Sequence, residues 1–116
     1  MTDLERHAAR LREFAAARDW EQFHTPKNLA MALSGEVGEL VAEFQWLTPE
    51  ESRAPDPETL ARITAELGDV TNYLVRLADV LGVDLMAAAA AKLDSVEHRY
   101  PVHTYRGSAR KAPPSP

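Results

Sequence analysis

The chain contains no cysteine. That excludes disulfide staples and thiolate metal sites, and it fits a reducing, cytoplasmic setting. There is no apolar run long enough to span a bilayer and no signal-peptide core at the N-terminus, so no membrane partner is expected. Positive charge is also scarce: 13 Lys and Arg stand against 18 Asp and Glu, a formal net charge of −5. A nucleic-acid polymer is gripped through a broad basic face, and this balance argues against one. A small polyanionic substrate would then depend on metal ions and a few placed cations. No segment alternates polar and apolar residues with the period of a strand, which removes β-sheet from the reading. Histidines are few. Only Glu21-x-x-His24 has the E-x-x-H spacing, whereas a di-iron carboxylate bundle needs paired copies on inward faces. His7, His98 and His103 lack matching partners and read as surface or tail residues.

What is present is a set of helices with their punctuation. The 116 residues suit one domain, expected over residues 1–105, and 45% hydrophobic with 27% charged is ordinary for a globular chain. Leu4, Leu11, Phe14 and Ala15 recur at helical spacing and predict a first helix from Asp3 to Ala17. Thr25-Pro26 reads as the cap and first residue of a second helix reaching about Trp46, since proline's missing N–H is no loss there. Leu29, Leu33, Val37, Leu40, Val41 and Phe44 mark its buried side. Thr48-Pro49-Glu50-Glu51 is a capping-box pattern for a short helical turn. Asp56-Pro57 starts a third main helix that ends at Leu81 before Gly82, and Ile63, Leu67, Val70, Leu74, Leu77 and Leu81 form its core stripe. Asp84 caps a fourth, which runs to about His98 and is stopped by Pro101. Residues 106–116 are basic, rich in Pro, Ser and Ala, and expected to be disordered. The predicted fold class is all-α, a bundle of four main helices. Its apolar positions are too many for one small bundle, which predicts a homo-oligomer.

Two acidic pairs carry the chemistry. Glu36-x-x-Glu39 and Glu66-x-x-Asp69 each lie within otherwise apolar helical sequence. A separation of three puts both members of a pair on one helical stripe. At about 100° per residue, each stripe borders the core face instead of opposing it, and the two helices carry the same layout. Packed as an antiparallel pair with axes about 8–10 Å apart, they would face their acids across one groove. Four carboxylates so placed repel unless a cation or shared protons neutralise them. Oxygen-only ligation selects a hard ion, Mg²⁺ with Mn²⁺ as a substitute, and suggests a site that handles phosphates. Gly35, Gly38 and Gly68 flank the pairs at a cost of roughly 1 kcal/mol each relative to alanine, which suggests close approach of a backbone or ligand. Glu43 shares the stripe of Glu36, although a surface role fits it better. Arg62 and Arg76 read mainly as partners for neighbouring acids. Trp20, His24, Trp46 and Tyr73 are polar-tipped aromatic residues near this stripe or near helix ends, where a ring can stack on a nucleobase or simply finish the core.

The run Asp19-Trp20-Glu21-Gln22-Phe23-His24, followed by Pro26, Asn28 and Leu29, resembles the MazG-like all-α nucleoside triphosphate pyrophosphohydrolases, in particular their dCTP pyrophosphatase branch. Gly35-Glu36-Val37-Gly38-Glu39-Leu40, Phe44-Gln45-Trp46, Glu66-Leu67-Gly68-Asp69-Val70 and Tyr73-Leu74 are similar to its successive blocks. Val83-Asp84-Leu85, Lys92 and Arg99-Tyr100-Pro101 extend the resemblance, which covers Trp20 to Pro101. It implies a tetrameric (or dimeric) helical assembly that cleaves a nucleoside triphosphate, dCTP or a modified dCTP, to monophosphate and pyrophosphate. By that pattern Glu36, Glu39, Glu66 and Asp69 would hold Mg²⁺, with Glu39 also the candidate catalytic base. Trp20, His24, Trp46 and Tyr73 would surround the base, Asn28 would belong to the substrate group, and Lys92 would lie near the triphosphate or sugar. Val96 departs from the asparagine common in relatives and weakens the inference about base and sugar. The alternatives are the same reaction on another nucleotide such as dUTP, and a non-catalytic helical module that binds nucleotides or a protein.

Overall fold

The computed structural model describes residues 1–114. Among the described residues every regular element is helical. The helices are α1 (Asp3–Ala17), α2 (Pro26–Ala42), α3 (Pro49–Arg53), α4 (Pro57–Leu81), α5 (Leu85–Arg99) and α6 (Val102–Tyr105), with a 3₁₀ turn at Glu21–Phe23. The chain divides into two compact units, Met1–Gly82 and Val83–Pro116.

Local chemistry starts each long helix of the first unit. Thr2 accepts from the Glu5 N–H at 3.1 Å while the Glu5 carboxylate accepts from the Thr2 N–H at 3.0 Å, a closed capping box on α1. Thr25 accepts from Asn28 N–H and Asp56 from Thr59 N–H, each followed by proline at the first helical position. Gly82 closes α4 at φ 69°, a left-handed conformation that glycine adopts without strain.

α4 packs against both α1 and α2. Side-chain bonds reveal the directions. Arg62 meets Glu43, whereas Glu66 and Asp69 meet Glu39 and Glu36, so numbers rise along α4 as they fall along α2, and the pair is antiparallel. His7 bonds to Asn72 and Arg12 to Asp79, so α1 runs parallel to α4. The core between them holds Ala15, Leu29, Ile63, Val75 and Ala78.

The expected apolar stripes are only partly covered. Leu29 and Ile63 are buried, but Val37, Val41, Leu67, Leu74 and Leu81 are exposed within the single chain. α2 also stops short of the expected Trp46. From Glu43 onward the bonds tighten to the third residue back (Glu43 N–H to Leu40, Phe44 N–H to Val41), so residues 43–46 form turns and Trp46 stands 87% exposed outside the helix.

In the second unit Asp84 caps α5 by accepting from the Ala87 N–H at 3.0 Å. Pro101, read from sequence as a stop, also stands at the N-cap of α6. The Tyr100 and Tyr105 rings meet edge to face at 4.8 Å. Of the tail expected to be disordered, residues 115 and 116 lie outside the described residues. Its described part turns back to α5, where Ala112 is buried, its N–H donates to the Tyr100 hydroxyl at 3.0 Å, and Arg99 donates to the Ala112 carbonyl. No helix among the described residues is long and apolar enough to cross a membrane.

Candidate functional site

The antiparallel α2–α4 pair brings the two acidic stripes face to face. One carboxylate oxygen from each of Glu36, Glu39, Glu66 and Asp69 lies within 4.8 Å of all the others. Glu36 and Glu66 are half-buried and form the floor of the group, while Glu39 and Asp69 reach solvent. An Oε2 atom of Glu36 and one of Glu66 are sealed from solvent with no hydrogen-bond partner among the described residues. Buried carboxylate oxygens left this way are costly unless something outside the chain satisfies them. Oxygen donors at this spacing fit a hard divalent cation, so the residues present suit the metal that the sequence implies.

A cavity of about 460 Å³ adjoins the quartet, within the usual size range of small-molecule sites. Asp69 belongs to both the cavity and the acid quartet. From α1 come His7, Arg10, Leu11 and Phe14, and from α4 come Asn72, Tyr73 and Arg76. Trp20 and His24 enter from the connection that follows α1. That connection is shaped by Asp19 at φ 55°, a left-handed geometry that aspartate tolerates better than most residues, together with a 2.9 Å bond from Trp20 N–H back to the Ala15 carbonyl. The turn sets Trp20 edge to face against Phe14 at 5.6 Å and against His24 at 6.4 Å.

Residues 24–104 match the MazG nucleotide pyrophosphohydrolase domain. The chain belongs to the MazG nucleotide pyrophosphohydrolase family. It is 54% identical over 101 residues to dCTP pyrophosphatase 1 of Bos taurus, an alignment covering 85% of this chain and 60% of that one. The identity to dCTP pyrophosphatase 1 of Homo sapiens is 52% over 101 residues, covering 59% of that protein. The chain thus spans about three fifths of the length of these curated relatives. A crystal structure of a pyrophosphatase from Archaeoglobus fulgidus superposes with a TM-score of 0.81 at 35% identity, covering 87% of this chain and 94% of that one. The all-helical architecture is therefore that of the MazG family.

Electrostatics within this MazG site follow from crowding. Burial, a hydrogen bond to Glu39 and the charges of Glu39, Asp69 and Glu66 push the Glu36 carboxyl up to about 7. Glu66 is raised by burial first and then by the charge of Glu39. Burial lowers the pKa of His24, and the positive charge of Arg76 lowers it further. Asp79 is held low by its hydrogen bond to Arg12, at the back of the cavity wall.

The candidate residues are unequally placed. The acid quartet meets as a group, and Trp20, His24 and Tyr73 share one cavity with Asp69. Trp46 is not among the cavity's lining residues, because α2 ends before it. Asn28 uses its side-chain amide locally, donating to the Phe23 carbonyl at 3.0 Å and tying the entry loop to α2. Lys92 is exposed on α5 in the second unit. Glu43, read from sequence as a surface residue, is half-buried and pairs with Arg62 at 3.0 Å. Gly35, Gly38 and Gly68 have open space where a Cβ would stand, so nothing in the described chain makes the close approach expected there.

His7 corrects the surface reading. It is half-buried, with Nε2 2.7 Å from the Asn72 side-chain oxygen. Its place at four and seven residues before Leu11 and Phe14 was a usable signal, since those spacings share one helical face. Asn72 and Arg76 follow Asp69 at three and seven residues, again on one stripe.

Proposed function

We propose that this chain is a divalent-cation-dependent nucleotide pyrophosphohydrolase that cleaves a (deoxy)nucleoside triphosphate, dCTP or a modified dCTP, to the monophosphate and pyrophosphate. The observation that carries the proposal is the meeting of four carboxylate oxygens within 4.8 Å, two of them from residues with a sealed, unpartnered oxygen. The base preference is supported by the similarity to mammalian dCTP pyrophosphatase 1. A role in clearing the nucleotide pool follows from that substrate class.

In this reading Glu36, Glu39, Glu66 and Asp69 hold Mg²⁺, or Mn²⁺ in its place. The bound ion would neutralise phosphate charge and acidify water at the site. Glu39, exposed at the edge of the group, takes a proton from the attacking water in this reading. Glu36 and Glu66, anchored lower in the groove, orient the donor set. Trp20, His24 and Tyr73 hold the base and fix its distance from Asp69, which supports a division of the site into a phosphate end and a base end. Trp46, Asn28 and Lys92 stay in the substrate group on the family pattern alone.

The assembly belongs to the same proposal. Exposed Val37, Val41, Leu67 and Leu74, with open space at Gly35, Gly38 and Gly68, support burial against further copies of the chain in a dimer or tetramer. The family match runs from the first unit into the second and supports a single functional domain over residues 1–105. Net charge −5 supports a mononucleotide over a nucleic-acid polymer, and the absence of cysteine supports a cytoplasmic setting. The test is a nucleotide panel at fixed Mg²⁺ with pyrophosphate and orthophosphate read separately. Pyrophosphate release, greatest with dCTP, is expected. Binding without products would replace the enzyme by a nucleotide-binding module.

A further inference from the structure

Arg76 is unusual in the cavity wall because it is a charged residue only 7% exposed. One of its terminal nitrogens lies 3.3 Å from Asp79, and its Nε lies 3.1 Å from His24 Nδ1. An arginine Nε carries its hydrogen at every pH a folded protein survives and has no lone pair to offer. The imidazole nitrogen facing it can only accept. Nδ1 is therefore bare, and the hydrogen of a neutral ring must sit on Nε2.

We infer that Arg76 is a positioning residue that locks His24 in the neutral Nε2–H tautomer, making the ring a hydrogen-bond donor toward an uncharged acceptor, a carbonyl or ring nitrogen, on the nucleotide base. The lock is buttressed from behind. Arg12 grips Asp79 with two bonds of 3.0 and 2.6 Å, and Asp79 in turn restrains Arg76. Protonating His24 would set a second positive charge against a buried guanidinium, in keeping with the lowered pKa of the ring. The other ionisable groups around the cavity are His7 and Arg10 on α1, and Asp69 and Tyr73 on α4.

The choice of base as ligand rests on the proposed pyrophosphohydrolase reading, but the tautomer does not. It is therefore measured first on free protein without metal or nucleotide, by long-range ¹H–¹⁵N correlation of the histidine rings at neutral pH. His24 should show hydrogen on Nε2 alone, with a scalar coupling across the bond from Arg76 Nε to His24 Nδ1. Hydrogen on Nδ1 in the unmodified protein would overturn the proposal without any variant. In Arg76→Met, which has no hydrogen to donate and is checked for retained helicity, the ring should become a mixture of tautomers and protonated form, and Arg76→Lys, which still donates, should restore the Nε2–H signature. The same ring signature in Arg76→Met as in the parent would also overturn it. With dCTP and Mg²⁺, Arg76→Met should raise KM about tenfold at little change in kcat, the effect of losing one binding hydrogen bond. A tenfold fall in kcat at constant KM would refute the positioning role. If no nucleotide is turned over, the family-based activity falls while the spectra still decide the lock.

Discussion

The chain of charges behind the cavity allows a quantitative test, because its two ends are buried to different extents. Arg12 is 56% exposed at its side chain, Asp79 is 18% exposed and Arg76 only 9%. Replacing Asp79 by asparagine removes the carboxylate from a guanidinium that has little access to water. Breaking a buried pair in this way costs about 3 kcal/mol, the low end of the usual range because Asp79 keeps some solvent. For a chain of this size that corresponds to a fall in Tm of about 10–15 °C. Arg12→Ala acts at the solvated end, where water replaces the lost partner, and should cost much less. The signature is therefore an asymmetry between two ends of one network, read by thermal and urea unfolding of both variants beside the parent. The pH dependence has a definite sign. Asp79 has a depressed folded pKa, so its stabilisation is present above the ordinary carboxyl value of 3.8 and disappears as pH falls through the lower folded value. The gap between Asp79→Asn and the parent should accordingly close in acid. Equal losses at the two ends, or a gap that widens in acid, would refute the reasoning.

Two further outcomes concern the quartet. Glu36→Gln and Asp69→Asn should each abolish pyrophosphate release while leaving the far-ultraviolet circular dichroism unchanged; full turnover in either variant would remove that residue from the metal group. Glu36 has a raised folded pKa, so the metal-free protein should lose stability as pH rises from about 4.5 to about 7, the interval over which the ordinary and the folded carboxyl ionise. Saturating Mg²⁺ should flatten that slope, which a Tm series with and without chelator would record, and a slope unaffected by Mg²⁺ would count against cation binding there.

The beginnings of helices were legible because capping is local chemistry. Thr25-Pro26, Asp56-Pro57 and Asp84 each place an oxygen acceptor where the first N–H groups lack partners, and each starts a helix. The end of α2 was not legible, since Val41, Phe44 and Trp46 continue an apolar pattern through the residues where the backbone tightens into turns. No glycine or proline marks that change. The acid quartet could be read from spacing because a separation of three is a property of any helix, and two matching stripes need only antiparallel packing to meet. The polar back wall of the cavity could not. His7 finds Asn72 across 65 residues and Arg76 finds His24 across 52, pairings that depend on the parallel register of α1 and α4 and on the turn at Asp19. Nothing local announces such a register.

α4 carries Asp69, Tyr73 and Arg76 on one unbroken rod that also holds Glu66. Its rise of about 1.5 Å per residue makes the span from Asp69 to Arg76 roughly 10 Å, set by backbone geometry rather than by any flexible loop. The helix thus works as a fixed gauge between the acid quartet and the far wall. Adding or deleting a single residue within that stretch would swing Arg76 by about 100° away from His24, so length variation there is tolerable only in whole turns.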